Sequence, residues 1–177
     1  MRKYILILLA FILMSSCFSS RNQYKALRIP LWRFSVKPSV SSEIYSLIDT
    51  TALYFNVRVN GEDSLDHGRG KLVAVTESQN SLKFYANGRV AQFWAVDFQK
   101  PQSLNPARGK MGMYGTSGKK EGFYVEDVSQ SPQAGVFLLK DKITSKGDTL
   151  YLDNGQYNYM YIKRKIPVEL LIFKPDW

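Results

Sequence analysis

The sequence predicts an all-β domain, an antiparallel barrel or sandwich of about 8–10 short strands, preceded by a short N-terminal helical turn. Three observations predict it. From Ala52 onward apolar and polar residues alternate in short runs. Turn pairs such as Asn60-Gly61, Asn87-Gly88 and Asn154-Gly155 separate those runs. No long stretch repeats its apolar residues at helical spacing. The single cysteine, Cys17, excludes an intrachain disulfide, so the fold rests on its core. Closing the sheet would remove the exposed strand edges that invite aggregation, which favours a barrel.

The chain opens with Arg2-Lys3, an apolar run of 11 residues from Tyr4 to Met14, and Ser15-Ser16-Cys17. That run matches the ~7–15 apolar residues of a secretory signal and falls short of the ~20 that a membrane span needs. Met14-Ser15-Ser16-Cys17 resembles the lipobox of bacterial lipoproteins. The resemblance implies removal of residues 1–16 and a lipid on Cys17. Two acyl chains hold a protein on a membrane where one does so only marginally. Phe18-Ser19 lacks the aspartate linked to inner-membrane retention, so the resemblance implies an outer-membrane lipoprotein facing the periplasm.

Residues 17–41 read as a basic tether partly docked on the domain. Between Phe18 and Ser42 lie Arg21, Lys25, Arg28, Arg33 and Lys37 and no acid. Basic residues beside a lipid anchor favour anionic headgroups, while Leu31, Trp32 and Phe34 are too apolar for a free linker. Ile44, Leu47 and Ile48 sit at helical spacing with Ser41 or Ser42 as N-cap.

The barrel domain is expected over 42–177. Its first strand runs from Leu53 to Val59, and a second is expected at Lys71–Thr76 after the His67-Gly68-Arg69-Gly70 loop. Ser81–Ala86 and Arg89–Phe98 flank Asn87-Gly88, read as a two-residue type I′ turn. A proline-bearing loop from Gln99 leads to Met111–Thr116 and Gly122–Val128. Gly135–Lys140, Lys142–Thr144, Asp148–Leu152 and Gln156–Ile166 follow, then a last apolar stretch at Glu169–Phe173.

Leu82–Val90, with Asn87-Gly88-Arg89 at its turn, is followed by Gly112-Met113-Tyr114-Gly115 and Gly147-Asp148-Thr149-Leu150. Together they resemble the small lipocalin-like lipoproteins of Gram-negative envelopes. The likeness spans about residues 50–165 and implies a β-meander barrel. It carries over no functional residues, and the Gly-x-Trp entry of true lipocalins is missing.

Lys and Arg number 24 against 15 Asp and Glu, a net charge of +9. The leader's Arg2 and Lys3 take two of these, leaving +7 in residues 17–177. Such a surplus favours anionic surfaces, and outside the cytoplasm these are headgroups or glycans, not nucleic acid.

No catalytic constellation stands out. His67 has no histidine or cysteine neighbour at ligand spacing, so no metal or cofactor is expected. No Gly-x-Ser-x-Gly elbow or P-loop is present. Glu121, Glu126, Asp127, Asp141, Asp148 and Asp153 would suit a carboxylate hydrolase, though spacing selects no pair. Aromatics are the remaining resource. Tyr157, Tyr159 and Tyr161 share one strand face, and Phe93 and Trp94 point to opposite faces. These five are the candidate ligand residues, with Gly112 and Gly115 leaving room opposite them. Three functions follow: a non-enzymatic envelope protein that scaffolds or binds another component, a carrier of a small amphipathic molecule, and the hydrolase.

Overall fold

The computed structural model of the protein describes residues 20–61, 80–118 and 120–177. Cys17 and its leader, His67, and the strand expected at Lys71–Thr76 lie outside the described residues.

A small ribbon of β1 (Ser20–Arg21) and β2 (Leu27–Arg28) comes first, then a 3-10 turn at Leu31–Arg33 and β3 (Val36–Pro38). Helix α1 (Ser42–Leu47) follows, with the Ser41 hydroxyl accepting from the Ile44 amide. Eight strands then run in a meander: β4 (Ala52–Gly61), β5 (Asn80–Tyr85), β6 (Arg89–Trp94), β7 (Lys110–Ser117), β8 (Lys120–Ser131), β9 (Gly135–Lys146), β10 (Thr149–Asp153) and β11 (Tyr157–Lys165). Each pairs antiparallel with the next, and β11 returns to β4 from Tyr157↔Gly61 to Lys165↔Ala52. The sheet is a closed eight-stranded antiparallel barrel, as the sequence predicts. Beyond the β5–β6 hairpin, β3 takes the place of β6 beside β7, pairing Val36 with Ser117.

Local details differ from the sequence reading. Asn87-Gly88 is not a two-residue I′ turn. Tyr85 pairs with Arg89 across three residues, the Gly88 amide donates to the Tyr85 carbonyl, and only Gly88 is left-handed, at φ 78°. A type I turn closed by a left-handed glycine fits a three-residue loop. Here glycine also makes room, since a Cβ on Gly88 would stand 2.5 Å from the Cβ of Pro38. β6 stops at Trp94, short of Phe98, because Ala95 turns left-handed (φ 53°). β9 runs unbroken through Asp141, where two strands were expected. The apolar stretch at Glu169–Phe173 forms no strand. A 3-10 turn at Val168–Leu170 begins a strap that lies on the barrel wall.

The barrel wall is packed on both faces. Inside, α1 lowers Ile44 and Ile48 onto Tyr54, Phe84 and Tyr114, and Val90, Val125, Ile143 and Leu150 complete this layer. Tyr54 and Tyr114 meet Phe84 edge-on, with ring centroids 5.4 and 5.3 Å apart. That geometry suits aromatic quadrupoles. Outside, Leu53, Phe55, Ala91 and Phe93 are covered by Leu104 and the strap residues Ile166 and Leu170. Met111, Met113 and Val128 are covered by Ile29 and Phe34 from the N-terminal segment. That segment is fixed by Glu126, buried at 4% exposure, whose carboxylate accepts from the Ser35 and Val36 amides and the Ser35 hydroxyl. A charged acceptor on three donors makes a strong tie. The two coats meet at Arg28, which pairs with Asp176 at 2.9 Å and stacks over Trp177.

Candidate ligand site in the barrel mouth

Because α1 precedes β4, it closes the barrel end where β4 begins. The opposite end, where β5 begins and β6 finishes, holds a cavity of ≈ 250 Å³ inside the wall. Strand alternation selects its lining. Asn80 and Leu82 come from β5, Gln92 and Trp94 from β6, and Lys110 from β7. Asp127 comes from β8, Asp141 from β9, and Tyr159 and Tyr161 from β11.

Among the expected ligand residues, Trp94, Tyr159 and Tyr161 therefore converge on one cavity from two strands. Trp94 stands 65% exposed at the rim, and Tyr161 lies buried among the inner core. Tyr157 stands beside Tyr159, ring centroids 6.1 Å apart, outside the lining. Phe93 projects the other way, into the core between the wall and the strap, because neighbours in a strand face opposite sides. The two glycines open no space. A Cβ on Gly112 would come within 2.9 Å of Val90, and one on Gly115 would overlap the Lys37 carbonyl oxygen. They let backbones and side chains approach closely, which is glycine's other use in a strand.

Of the six acids considered for hydrolysis, only Asp127 and Asp141 share this cavity. Glu126 holds the N-terminal segment, Asp148 pairs with Lys163 on the surface, and Asp153 caps the Gly155 amide. Asp127 is paired with Lys110 at 3.0 Å. Asp141 is only 5% exposed, and its Oδ1 has no hydrogen-bond partner among the described residues, while Asn154 donates to the carboxylate. Burial, and then the charge of Asp127, push the Asp141 carboxyl up to about 6. Asp127 is also raised by burial, against the pull of Lys110. Burial raises Tyr159 as well, with the carboxylate of Asp141 adding to it. One lysine against two carboxylates leaves the described lining one negative charge in excess once both are ionised. An isolated charge in so dry a place is costly unless a cation joins it.

Sequence reasoning missed Asn80, Gln92 and Lys110. The parity that placed Trp94 also placed Gln92, two residues earlier on β6. Lys110 became legible only once β7 was paired with β6, Gln92 lying opposite it.

A closed antiparallel barrel with a sealed helix end and a polar, aromatic mouth is the class that fold and site define. Compared with known proteins, the chain matches no family model, no curated protein and no solved structure. Among the described residues, no helix is long and apolar enough to cross a membrane.

Proposed function

We propose that the protein is a non-enzymatic, lipocalin-like binding barrel that takes a small molecule with a cationic amine and a flat apolar part. The observation that carries this reading is Asp141, a buried carboxylate with a free oxygen facing the mouth cavity. An ammonium group would neutralise the excess charge and supply the missing donor, at the strength of a charge-assisted hydrogen bond. Trp94 and Tyr159 supply aromatic faces, which attract cations. The amphipathic ligand expected from the tyrosines is thus narrowed to one with a positive head.

The test is titration calorimetry with 2-phenylethylamine, 2-phenylethanol and phenylacetate. The amine is expected to bind at least tenfold more tightly than the alcohol, and phenylacetate not at all. Asp141→Asn is expected to erase that preference. Equal binding of amine and alcohol would overturn the reading.

The same proposal has the protein held at the outer membrane by a lipid on Cys17 and facing the periplasm, a reading supported by the Met14–Cys17 sequence and by Phe18-Ser19 after it. Mass spectrometry of the mature N-terminus checks this; an unacylated Cys17 or a retained Met1 contradicts it. One observation favours a second reading, docking on another envelope component. Trp32 is 76% exposed beside Leu31 in the N-terminal coat. Crosslinking from position 32 in intact cells would trap that component, and capture of lipid alone would count against it.

A further inference from the structure

The outer face of the wall holds a second cavity, of ≈ 450 Å³, between β5 and the C-terminal strap. It lies within the usual range of small-molecule pockets, ~300–1,000 Å³. Leu104, Leu170, Leu171 and Phe173 give it an apolar side, and Lys83 and Tyr85 stand at its wall. Lys83 sits between two lumen-facing residues, Leu82 and Phe84, so its side chain leaves the barrel and enters the space beneath the strap.

Lys83 is 5% exposed. Its ammonium donates to the carbonyls of Thr50 and Phe84, and its Nζ lies 5.2 Å from the centre of the Tyr85 ring. Neither carbonyl carries a full charge, and no carboxylate pairs with it among the described residues. Asp49, whose charge reaches Lys83, accepts from the Thr51 amide and hydroxyl, and Asp176, whose charge reaches Tyr85, is paired with Arg28. The Tyr85 hydroxyl is buried and has no hydrogen-bond partner among the described residues. Among the described residues no acid lines the cavity, and the second charged residue there is another cation, Lys174. A buried ammonium needs an anion to offset its desolvation. A buried phenol needs an acceptor. One anionic head group would serve both, leaving its chain against the leucines.

We propose that this cavity binds a single-chain amphiphile with an anionic carboxylate head, Lys83 and Tyr85 holding the head and the strap covering the chain. The site is separate from the mouth and opposite in charge preference.

Decanoate and 1-decanol, titrated into the full chain, provide the test. Decanoate is expected to bind at least tenfold more tightly than decanol. Lys83→Met is expected to weaken decanoate at least tenfold and leave decanol unchanged. Leu171→Trp, which fills the cavity without touching the charge, is expected to weaken both while the circular dichroism spectrum is retained, and it decides the matter should Lys83→Met fail to fold. Equal affinity for acid and alcohol would overturn the proposal. So would decanoate binding that is unchanged in a folded Lys83→Met or in Leu171→Trp. Displacement of decanoate by 2-phenylethylamine would also overturn it, by placing the chain in the barrel mouth.

Discussion

The same eight strands build both ends of the barrel interior, and they build them from different chemistry. At the helix end Tyr54, Phe84, Tyr114 and Leu150 fill the space under Ile44 and Ile48. At the mouth those strands turn in Asn80, Gln92, Lys110, Asp127 and Asp141. The change happens within single strands. Phe84 lies four residues on from Asn80, Ile143 two on from Asp141, and Val125 two before Asp127, each on the same face. Stability is therefore concentrated at one end, which leaves the other free to hold charges that a core would reject. Residues of one type should then behave differently according to the end they occupy.

The largest expected effect lies at the helix end. Phe84→Ala removes a ring with no exposure between two other aromatics, and should cost about 3–5 kcal/mol in urea unfolding. Amine binding at the mouth should survive wherever the variant is folded. A cost below about 1 kcal/mol would show that the helix end is not the packed one.

The next effect belongs to the mouth and depends on pH. In the ligand-free fold Asp141 holds its proton up to about 6, against 3.8 as the ordinary value. Its contribution to stability is thus fully present below about 3.8 and is lost as pH rises through about 6. The loss is on the order of 3 kcal/mol. Asp141→Asn should flatten unfolding free energy across that window. Binding of 2-phenylethylamine needs the ionised form and so runs in the opposite sense, weakening about tenfold for each pH unit below the Asp141 value. A binding curve flat between pH 4 and about 7 would detach Asp141 from the ligand.

Tyr159→Ala separates the two ends more finely. Half-buried at the cavity, Tyr159 should matter more to binding than to folding. A tenfold loss of amine affinity, about 1.4 kcal/mol, is expected with a stability cost well under that of Phe84→Ala. Equal stability costs would make Tyr159 core. Smallest of all, Ser41→Ala removes the cap of α1 and should cost about 0.5–1 kcal/mol, with no change in ligand affinity.

How much of this could be read from residues alone depended on range. The barrel was legible because alternation and turn residues are local signals, and α1 because Ile44 and Ile48 repeat at helical spacing. The Asn87-Gly88 loop type was not legible. Asn-Gly suits a two-residue turn, while the strands pair Tyr85 with Arg89 around three, and the close approach of Pro38 to Gly88 comes from 50 residues away. The site was half legible. Parity showed that Trp94 and Tyr159 each lined some face, while the fact that both faced one cavity required the β11–β4 closure. Lys83 was hidden, and Asp141 was one of six acids that spacing could not separate, for a different reason. A charge in a strand reads as a surface residue, and only the closed wall and the strap bury these two.

The clasp of Arg28 on Asp176 and Trp177 spans 148 positions of sequence. Arg28 is synthesised before the first barrel strand and its partners after the last. During vectorial emergence of the chain the coat can dock on β7 and Glu126 as those strands form, while Arg28 still waits for a partner not yet made. Contacts between such distant positions form late, because the loop they close must first lose its freedom. The clasp works as a final seal on a finished wall, and a chain stalled before Asp176 would carry its two coats unjoined at Arg28.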